Sequence, residues 1–464
     1  MRIGRRVRAA LPFPGRRGLR VLAAGMLALV CSYSFAESPG ELERYVSLPD
    51  SSYEWRQVGS GRIGSTELAT LVLTSQTWRG IPWKHQLFIF RPANGLETSS
   101  NQAFLFIHGG RWRPEHETGG PDELPREAHI FVRLAETLRS PVAVLRHVPF
   151  QPLFERREDA LIAYSFDHYL KTGEADWPLL LPMVKSAVRG MDAVQEFARE
   201  RWRLPIERFT VSGASKRGWT SWLTAAVDAR VASVAPMVID MLNMPAQIEL
   251  QRATFGELSE EVSDYTQIDL PGRIDSQRGR QLLSIVDPYS YRERLTQPKL
   301  ILLGTNDRYW PLDALKLYWG GLPEPKHVLY VPNQGHGLKD VGRLIASLAA
   351  LHRYSARGET LPDIAWEFRR DGGHLQVTLA TERKPRRVVA WTANSPTRDF
   401  REARWVSRRC ERRKDSHVCR EPIRQDGYTA LYAEVVFDEG KEPDFSLSTA
   451  VCIAGGSDEK MERC

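Results

Sequence analysis

Short uncharged strands that alternate with helices constrain the fold of this chain more than any other feature. Ala103–Ile107, Val142–Leu145 and Leu300–Leu303 are continuous apolar runs of four or five residues. Such runs are typical of strands buried on both faces. Further strands are predicted over 85–91, 209–211, 231–239 and 327–331, and helices over 127–138, 181–202, 216–227 and 342–354. The alternation predicts βαβ units and a mainly parallel α/β sheet.

One stretch precedes this alternation, and two long stretches interrupt it. Residues 37–80 mix polar and aromatic side chains, and we expect them to form an N-terminal extension over the sheet. Residues from about 111 to 177 and from about 243 to 294 are long insertions, and the second carries helical patterns. Because long insertions in compact domains usually build lids or binding surfaces, we predict two helical lids.

A change of pattern near Pro362 predicts a second domain. Apolar residues recur with period two over 364–368, 374–379, 387–391 and 430–436, with no helical segment between them. Period two is typical of strands that bury one face. We therefore assign residues 37–358 to the α/β domain and residues 359–464 to a small all-β, sandwich-like domain.

The first 36 residues have the pattern of a secretory signal peptide. They contain seven arginines and no carboxylate, an apolar run over Val21–Cys31, and the small-residue cleavage site Ser34-Phe35-Ala36. The run is shorter than the roughly 20 residues that cross a bilayer, and an uncleaved anchor is the alternative. The pair Arg16-Arg17 leaves Sec and twin-arginine export both open. We therefore expect a periplasmic or secreted protein.

The signal peptide also explains the charge of the chain. The formal net charge is +7, and the seven arginines of the signal peptide account for all of it. The remaining residues are neutral overall and give no electrostatic reason to expect a nucleic-acid partner. We expect no integral membrane span in the mature chain, and its oligomeric state stays open.

The cysteines are consistent with export. Cys31 belongs to the signal peptide, and the other four lie beyond residue 400: Cys410, Cys419, Cys452 and Cys464. Clustered cysteines in an exported chain predict two disulfides, with three possible pairings. We favour Cys410–Cys419 and Cys452–Cys464 because each closes a short loop; four reduced thiols are the alternative.

The segment Phe209–Trp219 predicts a nucleophile elbow. A strand leads directly into Gly213-Ala214-Ser215, and a helix follows at once. A sharp turn of this kind needs small neighbours and presents a serine hydroxyl at the end of a helix, where negative charge is stabilised. Arg217 stands where the usual pattern has a small residue, and Gly218 follows it. The alternative is a plain strand-to-helix turn with Ser215 as a helix cap.

Two later loops complete a candidate catalytic triad. Asp307 follows one predicted strand and His336 follows the next, in the chain order Ser, Asp, His of α/β-hydrolases. The three residues should meet at the carboxyl edge of the sheet, where His336 would act as base and Asp307 would orient it. Asp240 is the alternative acid, and Asp313 is a third choice.

The loop His108-Gly109-Gly110 is placed where an oxyanion hole belongs. The backbone N–H groups of Gly109, Gly110 and Lys216 are the predicted donors to the substrate oxygen. Further residues should surround the mouth of the site and weakly indicate an anionic or sugar-like substrate: Arg111, Trp112, Arg217 and Trp219. The sequence carries no metal-ligand or phosphate-loop signature, so we predict no metal and no cofactor.

Several longer segments resemble a known family. They are Thr74–Gly80, Gly213–Trp219, Pro236–Asn243, Asp287–Tyr291 and Val331–His336, together with segments beginning at Trp391 and Asp399. In these segments the chain resembles the PhoPQ-activated pathogenicity-related proteins. The resemblance implies an exported α/β-hydrolase-like domain followed by a β domain, with the same triad, and it implies little about the substrate.

The residues and the resemblance together predict an exported serine hydrolase. It would cleave an ester or amide through an acyl-enzyme intermediate, with a carbohydrate ester among the candidates. The partner would be a small molecule, a glycan or a peptide. The alternatives are a serine peptidase and a non-catalytic binding or signalling protein linked to virulence or envelope stress.

We predict cleavage of the signal peptide after Ala36, because the small residues there fit a signal peptidase. N-terminal sequencing of the exported protein should therefore find Glu37 first. An exported protein that retains Met1 would contradict this prediction.

Overall fold

The apolar runs of the sequence form the buried centre of a large sheet. The computed structural model describes residues 40–93, 101–118 and 127–455. The predicted signal peptide and Cys464 lie outside these residues. In the three runs named first, every residue except the half-buried Phe106 is buried. This burial explains why charged residues are absent from the runs, since an unpaired charge inside a protein is costly.

The regular elements follow the predicted alternation. The strands are β1 (Glu54–Ile63), β2 (Thr66–Trp78), β3 (Ile81–Arg91), β4 (Gln102–Ile107), β5 (Val142–Leu145), β6 (Arg208–Ala214), β7 (Val231–Met237), β8 (Lys299–Gly304), β9 (Lys326–Val331), β10 (Ile364–Asp371), β11 (His374–Thr381), β12 (Arg387–Ser395), β13 (Val406–Arg409), β14 (Glu411–Arg412), β15 (His417–Pro422), β16 (Tyr428–Glu439), β17 (Glu442–Ser448) and β18 (Cys452–Gly455). The α-helices are α1 (Glu41–Ser47), α2 (Ala128–Leu138), α3 (Glu158–Thr172), α4 (Leu180–Phe197), α5 (Lys216–Val227), α6 (Met244–Phe255), α7 (Ser263–Gln267), α8 (Leu270–Arg273), α9 (Gln277–Val286) and α10 (Val341–Ala356).

The main sheet has the order β1-β2-β3-β5-β4-β6-β7-β8-β9-β17-β16-β12-β13, and β18 pairs with β16. The strands from β5 to β9 in this order are parallel to one another. The expectation that residues 37–80 lie over the sheet is wrong, because β1 and β2 pair antiparallel and extend the sheet through β3. Most of β2 is buried, including several polar residues. These polar residues interrupt the apolar pattern, so the sequence does not predict a strand here.

Helices cover both faces of the sheet. One hydrophobic cluster joins α1, α4 and α5 to the sheet, and a second joins α2 and α10 to the opposite face. Each helix turns an apolar stripe toward the sheet, as the spacing of its apolar residues predicts. Within the described ranges, no helix is long and apolar enough to cross a membrane.

The strands that follow α10 continue the main sheet and also form a second one. Ser448 of β17 pairs with Val328 of β9, which connects β17, β16, β12 and β13 to the parallel strands. The second sheet has the order β10-β11-β15-β14, and its apolar residues share a core with β16. The architecture is an α/β-hydrolase sheet extended by a β-rich C-terminal region. The domain boundary at residues 358 and 359 stays a prediction.

The first predicted disulfide is present between Cys410 and Cys419. Cys452 is also disulfide-bonded, and its predicted partner lies outside the described residues. The Cys410–Cys419 bond closes a loop of nine residues, which limits the freedom of the unfolded chain.

The two predicted insertions differ in structure. The range 111–177 contains α2 and the central strand β5, so part of it builds the sheet, and α3 is its last helix. The range 243–294 contains helices α6 to α9 and short 3₁₀ turns, without a strand. The second range has the helical character that we expected of a lid.

An ion pair between the partly buried Arg343 and the buried Glu434 connects α10 to the C-terminal strands. Glu434 on β16 is 2% exposed and accepts hydrogen bonds from Nη1 of Arg343 at 2.6 Å and Nε1 of Trp391 at 2.7 Å. Removing one member of a buried pair leaves the other charge without its partner, which is costly in a medium of low dielectric constant.

We therefore expect Arg343→Met to lower the free energy of unfolding by about 3–5 kcal/mol. Urea unfolding of the purified protein measures this change. Arg133→Met is the control, since Arg133 is exposed and has no ion-pair partner in the described part of the chain. Equal stability of the two variants would show that the pair is not a structural contact.

Candidate active site

Ser215 lies in a strained turn between β6 and α5. Its φ is 57° and its ψ is −126°, a conformation that L-residues rarely adopt. The turn is held from both sides, because N–H of Ser215 donates to Met237 O at 2.8 Å and Trp219 N–H donates to Ser215 O at 2.9 Å. This is the geometry expected of a nucleophile elbow.

Gly213 and Gly218, on either side of Ser215, allow close contacts between backbone atoms within the turn. A Cβ on Gly213 would lie 2.7 Å from Arg217 O, and one on Gly218 would lie 2.9 Å from Gly213 O. The small residue that the turn needs after the serine is therefore Gly218. Arg217 is tolerated because its side chain leaves the turn.

Asp307 and His336 form a hydrogen-bonded pair. Asp307 follows β8 and is 8% exposed, and Nδ1 of His336 donates to its Oδ2 at 2.9 Å. The carboxylate also accepts from Tyr309 N–H at 3.0 Å, and the Tyr309 ring stacks on the imidazole with centroids 4.2 Å apart. These contacts fix both the tautomer and the ring orientation of His336.

The loops that carry this pair approach each other because of Gly304. A Cβ on Gly304 would lie 2.5 Å from Gln334 O. Asn306 N–H donates to the same carbonyl at 2.9 Å. The end of β8, which precedes Asp307, and the loop after β9, which carries His336, are therefore in direct contact.

Ser215 and His336 line the same cavity of about 90 Å³. Nε2 of His336 is buried and has no hydrogen-bond partner among the described residues. No hydrogen bond reaches Ser215 Oγ in the part of the chain that the structure describes. The structure thus places the two side chains at one cavity without the hydrogen bond between them that a triad uses.

The two other candidate acids have different partners. Asp240 is buried and accepts a hydrogen bond from Tyr318 OH at 2.6 Å. Burial raises the pKa of Asp240 to about 8, with repulsion from Asp307 and Asp313 adding to the effect and the Tyr318 bond opposing it. Asp313 binds Lys316 and Arg398 at 2.8 and 3.0 Å. Of the three carboxylates, Asp307 is the one bound to His336.

The predicted oxyanion donors lie in two places. Lys216 begins α5 beside Ser215 and lines the cavity. Gly109 and Gly110 follow β4 at the same edge of the sheet, since Ile107 pairs with Gly213, but they do not line the cavity. A role of the two glycines in catalysis stays a prediction.

Arg217 is engaged within the protein rather than exposed at the mouth. Its guanidinium makes two bonds of 2.6 and 2.8 Å to Glu158, and its Nε donates to Val148 O at 2.5 Å. It also packs over Gly109, where a Cβ would lie 2.6 Å from Nη2. We therefore correct the expectation that Arg217 is a substrate-binding residue, because Glu158 and the backbone already occupy it.

The other three residues expected at the mouth also have separate positions. Trp219 is buried, lines the cavity and donates from Nε1 to Val286 O. Trp112 packs against the rings of His116 and His147 away from the cavity, and Arg111 is exposed. The expectation of an anionic or sugar-like substrate rested on these residues, and the lining of the cavity does not support it.

The second insertion supplies most of the cavity wall, which sequence reasoning did not assign. The apolar lining residues are Phe166, Trp219, Ile239, Met241, Met244, Ile248, Leu258, Val262, Leu270, Pro271, Ile274 and Trp310. On α6, Met244, Gln247, Ile248 and Gln251 line the cavity with spacings of three and four residues, which is one helix face. The spacing of these four residues is visible in the sequence and indicates one helix face. It does not indicate which part of the fold this face covers.

A polar cluster lies on one side of the cavity. Asp159 accepts from Nζ of Lys216 at 2.6 Å and from Tyr265 OH at 2.9 Å. The positive charge of Lys216 is therefore paired with Asp159 inside the protein and is not free to bind a substrate. Asp159 and Lys216 are 57 residues apart, so no local sequence pattern indicates this pair.

The C-terminal region supports the loops of the pair. Nδ2 of Asn306 donates to Ala403 O at 2.7 Å. The Asn333 side chain exchanges two bonds with the backbone of Trp405, at 2.8 and 3.0 Å. The residues flanking Asp307 and His336 are thus held by a segment beyond the predicted domain boundary.

The sequence is matched by the family model of the PhoPQ-activated pathogenicity-related protein over residues 42–401. The chain belongs to this family. The matched range contains Ser215, Asp307 and His336. A family relative is Autocrine proliferation repressor protein A of Dictyostelium discoideum, which is 32% identical over 390 residues, covering 78% of this chain and 76% of the relative.

Solved structures similar to this family member include two esterases. An acetyl xylan esterase from a Paenibacillus species has a TM-score of 0.44 at 14% identity, with 64% of this chain and 87% of that chain covered. Acetyl xylan esterase 1 from a Thermoanaerobacterium species has a TM-score of 0.42 at 14% identity, with 66% and 90% covered. Similarity at this level does not indicate which reaction this chain catalyses.

We expect Asp240→Asn to change how stability depends on pH. The pKa of Asp240 rises from 3.8 to about 8 on folding, so the folded state keeps a proton that the unfolded state releases between these values. The stability that this carboxyl contributes is full below its unfolded pKa and declines as pH rises toward about 8. An amide does not titrate, so the variant lacks this decline.

Urea unfolding at about pH 5 and about pH 8 measures the difference. The wild type should lose more stability between the two pH values than Asp240→Asn does. Asp415→Asn, at an exposed carboxylate, should behave as the wild type. Parallel losses in all three proteins would contradict the protonated state of Asp240.

Proposed function

We propose that the protein is an exported serine hydrolase that cleaves an ester or amide bond, with Ser215 as nucleophile, His336 as base and Asp307 as orienting acid. The observation that carries the proposal is the bond from Nδ1 of His336 to Asp307, with Nε2 left free at the cavity that Ser215 lines. An imidazole held in this tautomer is ready to accept a proton through Nε2.

The reaction follows from these positions. Nε2 of His336 takes the hydroxyl proton as Ser215 Oγ attacks the carbonyl carbon, and Asp307 stabilises the imidazolium that forms. The N–H of Lys216, at the positive end of α5, donates to the developing oxyanion. His336 then protonates the leaving alcohol or amine, and water, activated in the same way, releases the acid and restores Ser215.

The cavity favours a short apolar acyl group. Its wall is mostly aliphatic and aromatic, and its volume is about 90 Å³. This is smaller than the roughly 150 Å³ cavity that holds benzene in another protein. An acyl group of a few carbons fits such a space, while the alcohol side of the ester stays outside. A short-chain acyl ester of a carbohydrate therefore remains a candidate substrate.

The Cys410–Cys419 disulfide supports the proposed export. Disulfides persist in oxidising compartments such as the periplasm and are rare in reducing ones. The signal peptide that would direct export is proposed from the sequence alone.

A non-catalytic binding protein is the second candidate. The observation that favours it is the missing hydrogen bond to Ser215 Oγ within the described ranges. A fluorophosphonate probe separates the two candidates, because it reacts with a serine only when that serine is activated as a nucleophile. Labelling of the wild type, with none after heat denaturation, would support the enzyme.

We predict a graded loss across the triad variants. Ser215→Ala should abolish labelling and turnover, and His336→Ala should do nearly as much. Asp307→Asn should cost less, because it orients rather than reacts; in one well-studied serine hydrolase the loss of the acid is roughly a hundredfold milder. Turnover of a panel of short acyl, glucuronoyl and peptide substrates measures the series.

Ser407→Ala, at an exposed serine of β13, is the matched control and should retain full activity. Full activity of Ser215→Ala would refute the proposed mechanism. A silent Asp307→Asn together with a severe Asp240→Asn would move the role of acid to Asp240 and leave the hydrolase proposal intact.

A further inference from the structure

A basic groove lies where the chain passes from the main sheet to the second sheet. It has a volume of about 700 Å³ and is lined by residues at the ends of β11, β12, β13, β14 and β15 and in the turns beside them. Its cationic residues are Lys384, Arg386, Arg387, Arg409, Arg412, Arg413 and Lys414, and Asp415 is its one carboxylate. Seven positive charges against one negative charge make this a strongly cationic surface.

Strand pairing and the disulfide hold the walls of the basic groove together. Arg409 of β13 pairs with Val389 of β12, and Arg412 of β14 pairs with His417 of β15. The Cys410–Cys419 bond joins the residue between β13 and β14 to β15 at this point. The arginines of both walls, Arg409 and Arg412, therefore project from paired strands.

Most of these charges have no counter-ion within the protein. Arg386 pairs with Asp444, and Arg413 lies 3.7 Å from Glu411. The side chains of the other five are exposed and have no ion-pair or hydrogen-bond partner in the described residues: Lys384, Arg387, Arg409, Arg412 and Lys414. Like charges this close repel one another, so an anion that spans them relieves the repulsion as it binds.

The form of the surface points to one class of ligand. The basic groove is concave, with cations on both walls, so it fits a linear anion better than a flat membrane. Only Leu48 and Val406 are large exposed apolar residues in the described ranges, which leaves little to insert into a bilayer. The lining contains no Trp, Tyr or Phe on which nucleobases could stack.

We propose that the basic groove binds an anionic glycan, a polysaccharide or oligosaccharide that carries carboxylate, sulfate or phosphate groups. Arginine suits this role because its planar guanidinium makes paired hydrogen bonds to such groups. The groove shares no lining residue with the cavity at Ser215. Glycan binding is therefore independent of the proposed hydrolase activity and can be tested without it.

The test compares two triple variants of the full disulfide-bonded protein. The groove variant is Arg387→Glu with Arg409→Glu and Arg412→Glu, and the control is Arg133→Glu with Arg199→Glu and Arg201→Glu. All six arginines are exposed and lack ion-pair partners in the described chain, so both variants change the net charge equally. Affinity for heparin, polygalacturonate and neutral dextran is measured by isothermal titration at low and at moderate salt.

We expect the wild type and the control to bind heparin or polygalacturonate, but not dextran, with affinity that falls as salt rises. The groove variant should bind at least tenfold more weakly than the control. Equal affinities of the two variants, or no binding of either acidic glycan by the wild type, would overturn the proposal.

Further measurements test whether the effect comes from the positive charges of the basic groove. Arg409→Gln with Arg412→Gln removes charge without reversing it and should still weaken binding several-fold; circular dichroism and the intact mass of the disulfide-bonded form check that each variant is folded. Vesicles of phosphatidylglycerol and single-stranded DNA are parallel ligands. Tighter binding of either one than of the acidic glycans, lost in the groove variant, would assign the groove to a membrane or a nucleic acid instead.

Discussion

The positive φ of Ser215 is the constraint on which the candidate site depends. A non-glycine residue in such a conformation costs about 1–3 kcal/mol, so the surrounding structure must hold it there. The parallel strands β6 and β7 do so by placing Met237 O against the N–H of Ser215. Gly213 and Gly218 remove the Cβ atoms that would prevent the turn from closing. Without the buried central strands the hydroxyl would not be presented at the sheet edge, where the two later loops also arrive.

Two buried aspartates near this edge, Asp307 and Asp240, differ in their hydrogen-bond partners. Asp307 has the imidazole of His336 and a backbone N–H as partners, so its negative charge is compensated where it lies. Among the described residues Asp240 has a single hydrogen-bond partner, the hydroxyl of Tyr318, and burial raises the pKa of Asp240 to about 8. A second buried carboxylate that stays protonated at neutral pH adds no negative charge beside the first. The pair with His336 can then act as a single unit.

The features that the sequence predicts well are local ones. The helix over 216–227 is predicted with its observed bounds, and the Cys410–Cys419 bond is predicted from a short loop in a chain expected to be exported. The hairpin of β1 and β2, predicted as a covering extension, depends on pairing with β3 that no residue pattern within 37–80 specifies. The bonds from Asp159 to Lys216 and from Glu158 to Arg217 were also missed, since they join residues more than 50 positions apart that only the folded sheet and α3 bring together.

The C-terminal strands matter to the site although none of their residues was predicted to take part in it. They continue the same sheet past β9 and bring the segment before β13 against the loops that flank Asp307 and His336. There Asn306 and Asn333 bind backbone groups of Ala403 and Trp405, which fixes the loops from outside the α/β region. Because a displacement of about 1 Å can greatly lower the effectiveness of a catalytic group, this support bears directly on the proposed role of His336 as base. The β-rich region thus contributes at two places: the segment before β13 holds the loops beside Asp307 and His336, and strands of both of its sheets line the basic groove.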